Sequence, residues 1–101
     1  LSVSHNKIGD VLRDQGDLAG ALQAFRASLA IAERLAADDP SHAGWQRDVA
    51  VSYIKLALME GSGVTWTQVA AKWQAMADRG ILFPTDRKYL EAVKAKAAAE
   101  R

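Results

Sequence analysis

Leu1-Ser2-Val3-Ser4-His5-Asn6-Lys7-Ile8 returns, 48 positions further on, as Val49-Ala50-Val51-Ser52-Tyr53-Ile54-Lys55-Leu56. Leucine answers valine, serine answers serine, lysine answers lysine, and isoleucine answers leucine. Phe25 with Trp73, and Ala27 with Ala75, keep the same offset, so the echo covers a unit of two helices and not one octapeptide. Units that repeat at such a period cannot bury their apolar faces alone and do so by stacking on one another. The fold class that follows is all-α, with about five helices.

Outward from that echo, the helices can be placed in turn. Val3, Ile8, Val11 and Leu12 put apolar positions on a helix that runs to about Asp14, and Gly16 suits the left-handed cap that ends it. Asp17 then caps a second helix, Leu18 to about Ala37. Its stripes Leu18, Leu22, Phe25, Leu29, Ala32 and Ala21, Ala24, Ser28, Ile31, Leu35 lie side by side, so it must pack against two neighbours. Asp38-Asp39-Pro40-Ser41 breaks the pattern, with Ser41 or Asp39 as the next cap. A third helix is predicted from about Ser41 to Glu60, its apolar line being Trp45, Val49, Tyr53, Leu56 and Met59. Gly61-Ser62-Gly63 ends it. Thr65 and Gln68 form a capping box for a fourth helix, Trp66 to Arg79, and Gly80 terminates that one. Thr85 is placed to cap a last helix, Asp86 to about Glu100, whose outer side is charged.

Composition narrows the function. The chain has 101 residues, enough for one domain, and half of them are hydrophobic with few aromatics, a profile that suits closely packed helices. With 13 Lys and Arg against 12 Asp and Glu, the net charge of +1 offers no general attraction to nucleic acid or to anionic membranes. Neither is expected as a partner. The absence of cysteine excludes disulfides and thiolate metal sites and fits a reducing compartment, but equally fits many exported bacterial proteins; of the two, a cytoplasmic location is the expectation. The chain opens inside the repeated motif without an initiator Met, from which we expect further repeats before Leu1 and an exposed N-terminal repeat face able to form a homo-oligomer.

Ile8-Gly9, Leu12, Gly16-Asp17-Leu18, Ala21, Phe25 and Ser28 together closely resemble the large and small signature of a tetratricopeptide repeat, in its long-repeat bacterial type. The second copy keeps Tyr53, Leu56-Ala57, Trp73 and Met76, but has Glu60 and Val69 where a large residue and an alanine are usual. It resembles a degenerate terminal repeat. The usual period in that family is about 34 residues, so 48 implies helices extended by one to two turns each. The resemblance implies a right-handed α-solenoid of helix-turn-helix repeats: repeat one over 1–40, a degenerate repeat two over 41–80, and a connector with a C-terminal capping helix over 81–101. It also implies a non-enzymatic scaffold that binds a protein or peptide on a concave face lined by the first helix of each pair.

The residues expected on that face are Asn6, Lys7, Asp10, Arg13 and Lys55. Family members clamp a peptide carboxylate with Asn, Lys and Arg, but Ile54 and Leu58 stand where copy two would need polar groups, and a repeated lysine is more often only a solvated charge. His5 and His42 lack ligand spacing and read as packing residues, and Asp38 with Asp39 reads as turn chemistry. Trp45, Trp66 and Trp73 resemble a cage for a cation but follow core spacing. The absence of a nucleophile with a base, a phosphate-binding loop or a metal cluster leads us to expect no catalytic residue, no metal and no cofactor. The alternative roles are a regulatory or positioning segment of a larger signalling or peptidase protein, and a self-association module.

Overall fold

Among the described residues five α-helices follow one another: α1 (Ser2–Asp14), α2 (Leu18–Asp38), α3 (Ala43–Ala57), α4 (Trp66–Asp78) and α5 (Arg87–Ala99), the last entered through a 3-10 turn at Pro84–Asp86. The computed structural model describes the backbone of residues 2–100 and the side chains of residues 7–100. Each helix packs on the next, and α1 also reaches α3. None of the described helices is long and apolar enough to cross a membrane.

The α1–α2 turn is closed by a paired motif. Gly16 adopts φ 84°, which lets its N–H donate to Arg13 O at 3.0 Å while Asp17 N–H donates to Leu12 O at 2.8 Å. Gly80 at φ 72° closes α4 the same way, its N–H donating to Ala77 O and the Ile81 N–H to Met76 O. Asp17 accepts the Gly20 N–H at 2.9 Å, and the Thr65–Gln68 capping box is complete, so the second helix of each copy begins at an equivalent residue, Leu18 and Trp66.

Three apolar clusters hold the helices together. Ala21 and Phe25 of α2 meet Leu56 and Met59, with Leu12 of α1 against them. Ala50, Val69, Trp73, Met76, Leu90 and Val93 join α3, α4 and α5. The third cluster accounts for the length of the repeat. At 21 residues, α2 outlasts α4, at 13, by about two turns. Ala32 and Ala36 in that extension pack against Val49 near the start of α3, with Trp45 and Tyr53 alongside. Where α2 and α3 cross, Ser28 and Ser52 are fully buried with their hydroxyls 3.3 Å apart, small enough to let the two backbones approach.

Gly9 decides how closely α1 lies on α2. A Cβ there would stand 2.5 to 2.9 Å from three ring atoms of Phe25, which is itself fully buried. Alanine in place of a mid-helix glycine usually adds about 1 kcal/mol of helix stability. Here the enclosed ring has no room to retreat, and overpacking costs about 1–3 kcal/mol. Gly9→Ala is therefore expected to lower the urea midpoint, and adding Phe25→Leu to the alanine variant should recover part of the loss.

Three element boundaries differ from the sequence expectation. The cap of α3 is His42, not Ser41 or Asp39: its Nδ1 accepts Trp45 N–H at 3.1 Å and its ring stacks on the Trp45 indole with centroids 4.0 Å apart. Ser41 Oγ is drawn instead to Asp39, at 2.9 Å. The helix stops at Ala57 rather than Glu60 because Met59 N–H turns back to Leu56 O and Ser62 Oγ donates to the same carbonyl at 2.6 Å. At α5 the expected cap, Thr85, lies inside the 3-10 turn; Asp86 holds the cap position, its carboxylate is engaged with α3, and among the described residues no side chain caps the helix. Leu18, expected within an apolar stripe, is more than half exposed.

Glu100 ties the end of α5 to the start of α4. Its carboxylate accepts from Trp66 N–H and Thr67 N–H, each at 2.8 Å, and from Thr67 Oγ1 at 3.0 Å, where the helix dipole also favours negative charge. The Trp66 backbone bond, aided by those from Thr67, holds the Glu100 carboxyl below its ordinary value. A carboxylate whose folded pKa is depressed stabilises the fold above its unfolded pKa and loses that contribution as pH falls through the folded value. Glu100→Ala should flatten the acid limb of the stability–pH curve between those two values and speed amide exchange at Trp66 and Thr67 near neutral pH.

Candidate functional site

Along α3, Arg47, Val51, Ile54 and Lys55 recur at intervals that place them on one face, away from the line Val49, Leu56 that enters the core. That face borders an open cleft of about 290 Å³ lined by Arg47, Val51, Ile54, Lys55, Trp73 and Tyr89. Trp73 of α4, which lines the cleft, is fully buried, whereas Tyr89 of α5 stands 40 % exposed at the wall. The two rings are tilted against each other with centroids 5.8 Å apart. A volume of this size suits one large side chain better than a whole small-molecule ligand.

An ion pair stands at each end of the α3 stripe. At the α1 end, Lys55 Nζ donates to both oxygens of Asp10 at 2.9 and 3.1 Å, and Arg13 Nη2 lies 3.3 Å from the same carboxylate. At the α5 end, Arg47 grips Asp86 with two bonds, Nε to Oδ2 at 2.6 Å and Nη2 to Oδ1 at 3.2 Å. The Asp86 side chain is only 4 % exposed, while that of Arg47 is 38 % exposed. The hydrogen bond to Asp86 outweighs burial and raises the Arg47 pKa further, so this cation does not titrate in ordinary conditions. Arg47 has five N–H donors and spends two on Asp86, and Lys55 has three and spends two on Asp10. Each cation thus has donor capacity beyond its carboxylate, and both line the cleft.

Of the residues expected on the binding face, Asp10, Arg13 and Lys55 come together in one cluster that ties α1 to α3. Lys7 does not join it: it is exposed, borders an apolar surface formed by Ile8, Val11 and Leu12, and has no ion-pair partner among the described residues. The side chains of Asn6 and His5 lie outside the described residues. The indoles do not converge on one point. Trp73 is central to the α3–α4–α5 cluster, Trp45 belongs to the α2–α3 cluster, and Trp66 carries Lys96 Nζ 5.0 Å from its ring.

Of the cleft residues, the sequence reading places Ile54 on the groove face, as an apolar residue in a polar position, and gives no site role to Arg47, Val51 or Tyr89. The stripe Arg47, Val51, Ile54, Lys55 carried a usable signal, because it is the second face of a helix whose first face is apolar. What concealed it was the stronger line Trp45, Val49, Tyr53, Leu56. Asp86 read as a helix-start residue, and nothing local distinguishes that role from a buried partner for Arg47, 39 positions earlier. In comparisons with protein-family models, curated proteins and solved structures, the chain matched none.

Proposed function

We propose that this chain is a non-enzymatic binding scaffold of tetratricopeptide-like repeats, a right-handed α-solenoid whose concave side includes the α3–α5 cleft and receives a peptide or protein segment. The observation that carries the reading is the cleft itself: an apolar floor of Val51, Ile54 and Trp73, walled by Tyr89, between the cations Arg47 and Lys55. Supporting it are the equivalent helix starts of the two copies and the Gly9–Phe25 fit of small against large. An apolar anchor held between directional donors is how surfaces of this size gain both affinity and orientation.

Selection of a displayed random-peptide library on the intact chain tests this. Peptides should be enriched whose binding weakens as salt rises, since Arg47 and Lys55 contribute partly screened attraction. Ile54→Glu and Tyr89→Ala should each reduce their affinity at least about tenfold with helical circular dichroism unchanged, while Ile8→Glu, outside the cleft, should leave it unaltered. Peptides that bind all variants alike, or no enrichment at all, would remove the cleft from the reading.

A further inference from the structure

Among the described residues, one buried side-chain nitrogen or oxygen lacks a hydrogen-bond partner: Nε1 of Trp73. A donor enclosed in this way is a standing cost to the fold and calls for an explanation. The core around the ring supplies no acceptor of note, since Ala50, Val69, Leu90 and Val93 carry hydrocarbon side chains and Met76 a thioether that accepts only weakly. Trp73 also lines the cleft, beside Arg47, Val51, Ile54, Lys55 and Tyr89. Of these, Arg47 and Lys55 are donors only, as the indole is, so the cleft is rich in donors and short of acceptors. We infer that the segment received in the cleft presents a carboxamide side chain, glutamine or asparagine, whose oxygen accepts the Trp73 Nε1–H.

Charge selects a neutral acceptor over a carboxylate. At the α5 end Asp86 acts on Arg47 through two hydrogen bonds and through its charge, and Asp48 acts on it through charge. Two carboxylates there outweigh one cation, so an acidic side chain would enter against them. A carboxamide brings the same carbonyl oxygen without the charge, and its NH2 can donate to the Tyr89 hydroxyl. The excess of cation lies at the α1 end, where Lys55 and Arg13 share Asp10, and the salt-dependent part of binding belongs there. Because the indole N–H is enclosed, a side chain has to move before the amide reaches it. Tyr89, at the exposed wall with its ring against the indole, is the one placed to turn.

This inference rests on the cleft being the binding surface, and the test separates the two. Displayed peptide libraries, random except for a central Gln, Glu or Leu, are selected on the intact chain, and the Gln-centred peptides recovered are remade with Leu or Glu at the centre. The Gln forms should bind about fivefold more tightly than either, and the Trp73 indole N–H resonance should shift downfield when they are added. Replacing Trp73 by β-(3-benzothienyl)alanine, which puts sulfur in place of the N–H in a ring of nearly the same size, should abolish the preference for Gln over Leu. Leu forms that bind as well as Gln forms overturn the inference, as does an indole resonance that no peptide moves or a preference that survives the replacement. In each of those cases the cleft reading stands if Ile54→Glu still weakens binding. A preference for Glu overturns it in favour of a charged ligand, and failure of every library to enrich removes both readings. Should the benzothienyl chain not fold, the Gln-to-Leu comparison and the resonance on the unmodified chain decide the matter.

Discussion

Trp73→Ala is expected to bring the protein close to unfolding at ambient temperature. The indole is fully buried where α3, α4 and α5 meet, among Ala50, Val69, Met76, Leu90 and Val93. Truncating a large aromatic side chain in such a site costs about 3–5 kcal/mol, the lost transfer free energy plus the cavity left behind. Domains of this size have about 5–15 kcal/mol in total, so denaturation followed by circular dichroism should show a midpoint lowered by a third or more. Trp73→Phe separates packing from hydrogen bonding. The buried Nε1–H has no hydrogen-bond partner among the described residues, so phenylalanine removes an unsatisfied donor while keeping most of the ring. Its cost should be well under half that of alanine. Equal costs would mean that the indole N–H contributes more than its surroundings indicate.

Arg47→Ala should be nearly as damaging, and more so than Asp86→Asn. The two members of this pair sit in unlike surroundings: Asp86 is almost wholly enclosed, whereas Arg47 reaches solvent. Without Arg47 a buried carboxylate is left without its cation, a defect worth about 3–5 kcal/mol when fully enclosed, and we expect the lower end here because the cleft is open. Without the Asp86 charge, the guanidinium can turn to water, and about 1–2 kcal/mol should be lost. The double variant should cost less than the sum of the singles, as expected of groups in direct contact. Equal single-variant costs, or strict additivity, would show that the pair is not the lock between α3 and the α5 entry that its geometry indicates.

Much of this architecture is legible in the residues. The caps at Asp17 and Thr65 and the turns at Gly16 and Gly80 depend on neighbours within five positions, and all four occur as the sequence indicates. The broad apolar face of α2 correctly demanded two neighbours, α1 and α3. Prediction failed where a local preference competed with a distant partner. Ser41 is a good cap by type, but His42 gains an additional stack on Trp45 and takes the position. Asp86 is likewise a good helix-start residue by type, but Arg47 claims its carboxylate.

The candidate site divides in the same way. Lys7 and Lys55 are equivalent in sequence and unlike in the fold, because only Lys55 lies on a helix flanked by both α1 and α4, where Asp10 can reach it. Arg79 Nη2 donates to Pro40 O at 2.6 Å and Arg26 Nη2 to Ser62 O at 3.3 Å, ties between turns and helices far apart in the chain that no pattern of spacing announces.

The amino-acid sequence by itself determined an all-helical chain, its repeat offset, the caps and glycine turns, and the residues Phe25 and Trp73 around which the helices gather. These follow from periodicity and short-range hydrogen bonding, which act within a few residues along the chain. Only the tertiary structure decided which charges pair, which face of α3 stays open, and that Ile8 and Val11 remain at the surface while Leu56 and Met59 are enclosed. Those outcomes depend on which helix lies opposite, and a position in a repeat is buried or exposed according to its neighbour and not according to its own side chain.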